Sequence, residues 1–140
     1  MRLKNLNQYQ NIVIQMHDNP DADAVGSGYA LYRYFQSQGK DVRLVYGGFS
    51  KITKSNICML IDKLHIPAEY LNEPDVSVGI PELLLTVDCQ YGEGNVQHMD
   101  AANVAMIDHH NTGRASDEMC EIRSNIVSCC TICYDLLKAE

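Results

Sequence analysis

Short apolar runs alternate with longer stretches in which apolar residues recur at helical spacing. Residues 11–16, 42–46, 83–87 and 103–107 are the runs, and each predicts a short buried strand. The run Leu83-Leu84-Leu85-Thr86-Val87 has no polar alternation, as a central parallel strand covered on both faces requires. Residues 24–38 predict a helix, because Ala24, Leu31, Tyr34 and Phe35 recur at its spacing and Gly39 offers a C-terminal stop. Gly26 and Gly28 weaken its first turns and point to close backbone packing there. Residues 53–64 predict a second helix and 126–139 a last one, with Thr131, Ile132, Leu136 and Leu137 facing inward. Residues 96–101 predict a short helix, and Pro67, Pro74 and Pro81 mark a loop-rich middle. Strand-helix alternation with apolar strands predicts an α/β fold, a mostly parallel sheet flanked by helices in a single domain. There is no internal repeat, low-complexity segment or linker.

Polar clusters follow three of the four runs. His17-Asp18-Asn19-Pro20-Asp21-Ala22-Asp23 follows the first, Asp88 ends the third, and Asp108-His109-His110 ends the fourth. Ligands of open α/β sheets bind at the carboxyl ends of the strands, so the three clusters can meet at one edge. Carboxylates and imidazoles suit divalent cations such as Mn²⁺ or Mg²⁺, which makes His17, Asp21, Asp23, Asp88 and His109 candidate ligands. One carboxylate can bridge two ions, and two ions about 3.5–4 Å apart would clamp a phosphate and hold the attacking water. The alternative for an acidic residue in a strand-to-helix turn is helix capping. For Asp18 and Asn19 capping is the preferred reading; for Asp21, Asp23 and Asp88 both readings stay open.

Composition narrows the setting. The chain is 46% hydrophobic and 21% charged, ordinary for a globular protein, and has no apolar run long enough to span a membrane. The first ten residues are too polar for an export signal, so a cytoplasmic location and six reduced cysteines are expected. Cys130 and Cys133 have CxxC spacing but no second pair. With Cys129 and Cys133 one helical turn apart, packing is preferred over zinc, and Cys89 is read as packing beside Asp88. A net charge of -7 argues against a broad basic surface for nucleic acid, although bound cations would invert the local sign. Gly26-Ser27-Gly28 lacks the GxGxxG pattern, which disfavours a redox or dinucleotide-binding domain. His65 and His98 read as surface residues. Arg114 and Arg123 read as solvated, with contact to substrate phosphate as the alternative. Tyr29, Tyr32 and Tyr34 do not share one helix face, so they read as packing rather than a base-stacking platform.

His17-x-x-x-Asp21-x-Asp23 followed by Ala24-Val25-Gly26-Ser27 resembles the first motif of the DHH phosphoesterase family. Asp88 in Thr86-Val87-Asp88 resembles the second, and Asp108-His109-His110 matches the triplet that names the family. Residues 124–131 resemble the segment that opens the next helix in relatives, and the resemblance covers roughly residues 10–138. A lone triplet is weak, whereas three motifs in order are specific.

The resemblance implies a Rossmann-like DHH domain that uses two divalent metals, Mn²⁺ foremost and Mg²⁺ second. His17 and Asp21 would hold one ion, Asp23 and His109 the other, with Asp88 bridging. Asp108 would support the site, and His110 would contact the phosphate or polarise an oxygen on the metal. Family substrates include short single-stranded oligonucleotides, nucleotides and other phosphorylated small molecules, and no membrane partner is expected. Relatives take a further Asp from a fourth motif and carry a C-terminal substrate domain. This chain ends at Glu140, soon after the triplet, so residues 1–140 are read as the N-terminal catalytic portion of a longer enzyme without those parts, or as a shortened gene product. Homo-oligomerisation through uncovered apolar surface is compatible with that reading. The expectation is a phosphoesterase acting on a phosphodiester or phosphomonoester of a nucleotide or short oligonucleotide. The rival is a catalytically incomplete metal- or nucleotide-binding module.

Overall fold

A computed structural model describes residues 1–72 and 79–140. Six strands form one all-parallel sheet: β1 (Asn11–Met16), β2 (Asp41–Tyr46), β3 (Ala68–Tyr70), β4 (Leu83–Val87), β5 (Val104–Asp108) and β6 (Cys120–Ile122), in the spatial order β3-β2-β1-β4-β5-β6. The chain builds outward from β1 to β3, then crosses to the other side of β1 and builds outward again. The order therefore reverses between β1 and β4, where Ile12 pairs with Leu83 and Met16 with Val87. Such a switch point opens a crevice at the carboxyl edge of the sheet.

The α/β expectation holds, with every strand pair parallel. The four apolar runs coincide with β1, β2, β4 and β5. Three short elements carry no sequence pattern strong enough to announce them: the one-turn helix α1 (Leu3–Leu6) and the three-residue edge strands β3 and β6. Residues 96–101, expected to be helical, form no helix. That segment instead lies over the sheet in extended coil, burying Val96 and Met99. Pro74 lies outside the described residues.

Helix α2 (Ala22–Ser37) starts where Asp21 caps it: Asp23 N–H and Ala24 N–H donate to Asp21 Oδ1 at 2.9 and 3.0 Å. It stops at Gly39, whose φ of +71° suits glycine. There Gly39 N–H reaches the carbonyl of Gln36 and Lys40 N–H that of Phe35, the paired bonds of a Schellman end. The preferred cap assignment for Asp18 and Asn19 is therefore corrected. Asn19 has φ +51°, outside a capping conformation, and Asp18 N–H bonds the Asn95 carbonyl instead.

Helices α3 (Ser55–Leu64) and α4 (Cys129–Lys138) complete the helical layer. Ile12, Ile14, Met16, Leu44, Leu83, Leu85, Ala105 and Ile107 face it from the sheet, against Leu31, Phe35, Ile57, Ile132 and Leu136. Alternate strand residues Val13, Val45 and Leu84 form a smaller cluster on the opposite face with Leu71 and Met99. Both glycines of α2 serve packing, as expected: a Cβ on Gly28 would lie 2.8 Å from Leu44 Cδ1, and one on Gly26 would lie 3.0 Å from Cys130 Sγ. On α4 the inward face is Cys129, Ile132, Cys133 and Leu136; Thr131, expected inside, is exposed. All six cysteines are free thiols. Among the described residues no helix is long and apolar enough to cross a membrane.

Candidate metal centre

The three polar clusters meet at the switch point. His17 leaves the end of β1, Asp88 the end of β4, and His109 the end of β5. Together with Asp21, Asp23 and His110 they line an open cleft of about 700 Å³, closed on one side by Val127, Ser128 and Cys130 at the start of α4.

Asp88 is the hub. It is 2% exposed and sits in the left-handed region at φ +59°, a strained conformation for a residue with a Cβ. Its N–H donates to the Ile107 carbonyl at 3.0 Å, which ties the turn to β5. Each oxygen of its carboxylate faces a different histidine: Oδ2 is 3.6 Å from His17 Nε2, and Oδ1 is 3.3 Å from His109 Nε2. Oδ1 is buried and accepts no hydrogen bond among the described residues. An ionised carboxylate oxygen withdrawn from water without a donor is costly. Asp88 with His17 and Asp21 forms one group whose potential ligand atoms lie within 4.8 Å of one another; Asp88 with His109 and His110 forms a second.

His17 and His110 are oriented through Nδ1. His17 Nδ1–H donates to its neighbour's carbonyl, Asp18 O, at 2.8 Å, which turns Nε2 toward Asp88. Burial pulls the His17 pKa down, but Asp88, the Asp18 carbonyl and Asp21 outweigh it and hold the imidazole above its ordinary value. His110 Nδ1 donates to Asp108 Oδ1 at 2.8 Å, and the His109 and His110 rings lie 4.3 Å apart between centroids.

Asp108 points into the protein, not the cleft. It is 1% exposed; its second oxygen accepts the Gln90 amide at 2.8 Å. Gln90 also donates to the His110 carbonyl at 3.2 Å and accepts from Thr112 Oγ1 at 2.5 Å. Gln90 was missed by sequence reading. A glutamine two positions beyond a strand end has no signature of its own, and only the return of residues 108–112 gives it partners.

Asp23 lines the cleft and also serves the start of the last helix. Cys129 N–H donates to its Oδ2 and Cys130 N–H to its Oδ1, both at 2.8 Å, and Ser128 Oγ donates to Oδ1 at 3.2 Å. Burial would raise the Asp23 pKa, yet these donors from Cys130, Cys129 and Ser128 hold the carboxyl below its ordinary range. Asp23 thus caps α4 from α2. It belongs to neither ligand group, although Oδ2 stands 3.8 Å from His109 Nε2.

The remaining candidates are not brought in. Arg123 is engaged elsewhere, donating to Glu121 at 2.7 Å and Asp135 at 2.9 Å. Arg114 is exposed and does not line the cleft. His65 ends α3 and is exposed, and His98 pairs with the Tyr91 hydroxyl at 2.8 Å. Cys130 reaches the cleft wall, but burial and Asp23 push its thiol up to about 11, so it is a thiol at neutral pH. Tyr29, Tyr32 and Tyr34 pack against the core as expected; Tyr29 and Tyr32 stack at 6.3 Å between centroids, and none of the three lines the cleft.

The residues present suit a divalent ion. The donors are carboxylate and imidazole, the pairing such cations favour, and the orphaned Asp88 oxygen supplies an unmet demand for positive charge.

Known proteins carry related architectures. An exopolyphosphatase-related protein from Bacteroides fragilis superposes with a TM-score of 0.62 at 18% identity, covering 98% of this chain and 42% of that one. RecJ from Thermus thermophilus, crystallised in complex with Mn²⁺, superposes with a TM-score of 0.50 at 17% identity, covering 96% of this chain and 19% of that one. The chain spans less than half the length of either neighbour, and at these identities the likeness is one of fold. No curated protein sequence matches the chain. The sequence profile of the DHH family, N-terminal domain, matches residues 11–140, so the chain belongs to the DHH family.

Proposed function

We propose that this chain is the metal-binding part of a phosphoesterase, holding divalent ions, Mn²⁺ foremost, and hydrolysing a phosphoester of a nucleotide or short oligonucleotide. The observation that carries the reading is Asp88, a buried carboxylate whose two oxygens each face a separate imidazole and one of which lacks any hydrogen bond. Asp88 would hold the ions together with His17, Asp21 and His109. Bound divalent ions supply Lewis acidity to the phosphate and to the attacking water.

The chain's own groups then have distinct tasks. Asp108 fixes the His110 ring through Nδ1–H and leaves Nε2 as the atom free to meet a phosphate oxygen. Gln90 holds Asp108 in turn. His17 is fixed by the Asp18 carbonyl, so its Nε2 is turned to the cleft. Membership of the DHH family and the Mn²⁺ in the RecJ neighbour support this reading.

A second reading, a metal- or nucleotide-binding module without turnover, is favoured by Asp23. Both its oxygens serve the start of α4, which leaves the His109 side with fewer carboxylates than the His17 side.

Calorimetric titration of the chain with Mn²⁺ separates the two. The catalytic reading expects two sites per chain, and Asp88→Asn weakens both by tenfold or more, on the order of the loss of a shared ligand. One site in the wild type supports the module. Binding unaffected by Asp88→Asn overturns the ligand assignment.

A further inference from the structure

The cleft has no lysine or arginine among the described residues that line it. Its carboxylates and imidazoles serve the ions, so a phosphate oxygen not taken by an ion needs a donor from elsewhere. Three further polar side chains line the cleft: Asn95, Ser128 and Cys130. Ser128 Oγ donates to Asp23 Oδ1 at 3.2 Å and accepts from the Thr131 N–H at 3.3 Å, and Cys130 Sγ lies 3.4 Å from the Asp23 carbonyl. Asn95 is uncommitted: it is exposed, and its side-chain amide makes no hydrogen bond among the described residues.

An exposed amide is by itself only solvated. What sets this one apart is how its backbone is held. Asp18 N–H, one residue after His17, donates to the Asn95 carbonyl at 2.8 Å. Two residues on, the side chain of buried Gln15 in β1 donates to the Gln97 carbonyl at 2.7 Å. On the other side, Glu93 N–H closes a turn onto the Gln90 carbonyl at 3.0 Å. Val96 and Met99 are buried. Asn95 stands in coil, yet the chain is anchored before it, at it and after it. A donor fixed by its scaffold meets charge without reorganising.

Its place along the cleft is defined by a second pocket of about 270 Å³, which includes Gln90 and Thr112 in its wall. Asn95 and His110 line both the cleft and this pocket, so they mark the boundary between them. His110 Nδ1 is spent on Asp108, and its Nε2 donates only when the ring is charged. The Asn95 amide offers two N–H donors whatever the pH, and with no protein partner it can turn them toward an anion. A lysine or arginine in its place would pair with the cleft carboxylates and compete with the ions, which a neutral amide does not.

We propose that Asn95 is a substrate-positioning residue whose side-chain NH₂ donates to a non-bridging phosphate oxygen at the boundary of the cleft and the adjoining pocket. The proposal rests on the phosphoester reading given above and adds to it the residue that orients the phosphate.

The probe is methylphosphonate, a phosphate mimic with no ester bond to cleave. Calorimetry at saturating Mn²⁺ is run on the wild type, Asn95→Ala and Asn95→Asp, with Mn²⁺ affinity measured separately for each. Loss of one hydrogen bond to a charged oxygen predicts methylphosphonate binding about tenfold weaker in Asn95→Ala. Mn²⁺ affinity of that variant stays within about twofold of the wild type. Asn95→Asp keeps the side chain's shape and replaces its donor with a carboxylate, so it weakens methylphosphonate further than Asn95→Ala does. A residue that only shapes the loop gives the reverse order, with the isosteric Asp milder than Ala, and that order overturns the assignment. Equal methylphosphonate binding by the wild type and Asn95→Ala also overturns it and leaves the phosphoester reading standing. A matching fall in Mn²⁺ affinity in Asn95→Ala overturns it and makes Asn95 a support of the ion site. No Mn²⁺-dependent methylphosphonate binding by the wild type removes the phosphoester reading, and the assignment with it.

Discussion

Asp23 shows how one carboxylate can answer to two demands. Its place in the first polar cluster suggests a ligand, while its hydrogen bonds make it the cap that joins α2 to α4. Its carboxyl lies below the ordinary value, so the folded state binds its proton less readily than the unfolded chain. Such a group stabilises the fold above the unfolded value of 3.8, and that contribution is lost as pH falls through the lower folded value. In metal-free buffer, Asp23→Asn is expected to reduce urea stability at pH 7 by about 1–2 kcal/mol. The difference between variant and wild type shrinks as pH falls below about 4. A pH-independent difference would show that the carboxylate charge is not what α4 needs. Spacing marked Asp21 and Asp23 as special but could not apportion capping and coordination between them, because both uses draw on the same oxygens.

At the level of elements, the packing of α2 on the sheet depends on the absence of a side chain at Gly28. Gly28→Val adds a branched group where Leu44 Cδ1 and Met16 already approach. The expected loss is about 1–3 kcal/mol of stability, read as a lower urea midpoint with an unchanged slope. Stability unchanged or raised would mean that Leu44 can rotate away at no cost. Elements were legible where burial imposed a pattern. Strands β1 and β4 stand at the expected residues, because a central parallel strand is apolar on both faces. The edge strands Ala68–Tyr70 and Cys120–Ile122 were not, since three residues beside a single neighbour need no pattern. The segment 96–101 misled for the converse reason. Its apolar residues Val96 and Met99 recur at helical spacing, yet Met99 is buried because coil crosses the sheet face above Val13 and Leu84.

Across the whole molecule, the fold gathers like charges. Asp21, Asp23 and Asp88 converge in a chain of net charge -7, and a divalent cation held only by the assembled site would relieve the repulsion they share. Ions that bind the native state alone raise its stability by mass action, by about 2.7 kcal/mol at roughly one hundred times the dissociation constant. Differential scanning calorimetry should therefore show the melting temperature rise by several degrees with excess Mn²⁺ and return on chelation. Asp88→Asn should cut the rise by about half or more. A melting temperature indifferent to Mn²⁺ in the wild type would contradict a preformed centre. The chain's pattern alone determined the α/β class, the principal strands and the three clusters at strand ends, because periodicity and strand-end polarity are local properties of neighbouring residues. Only the tertiary structure decided that the clusters meet where strand order reverses. It alone decided that Asp88 divides its oxygens between His17 and His109, that Asp23 caps α4, and that Gln90 holds Asp108. Those outcomes depend on residues far apart in sequence whose separation in space is set by strand order and register, which no local pattern encodes.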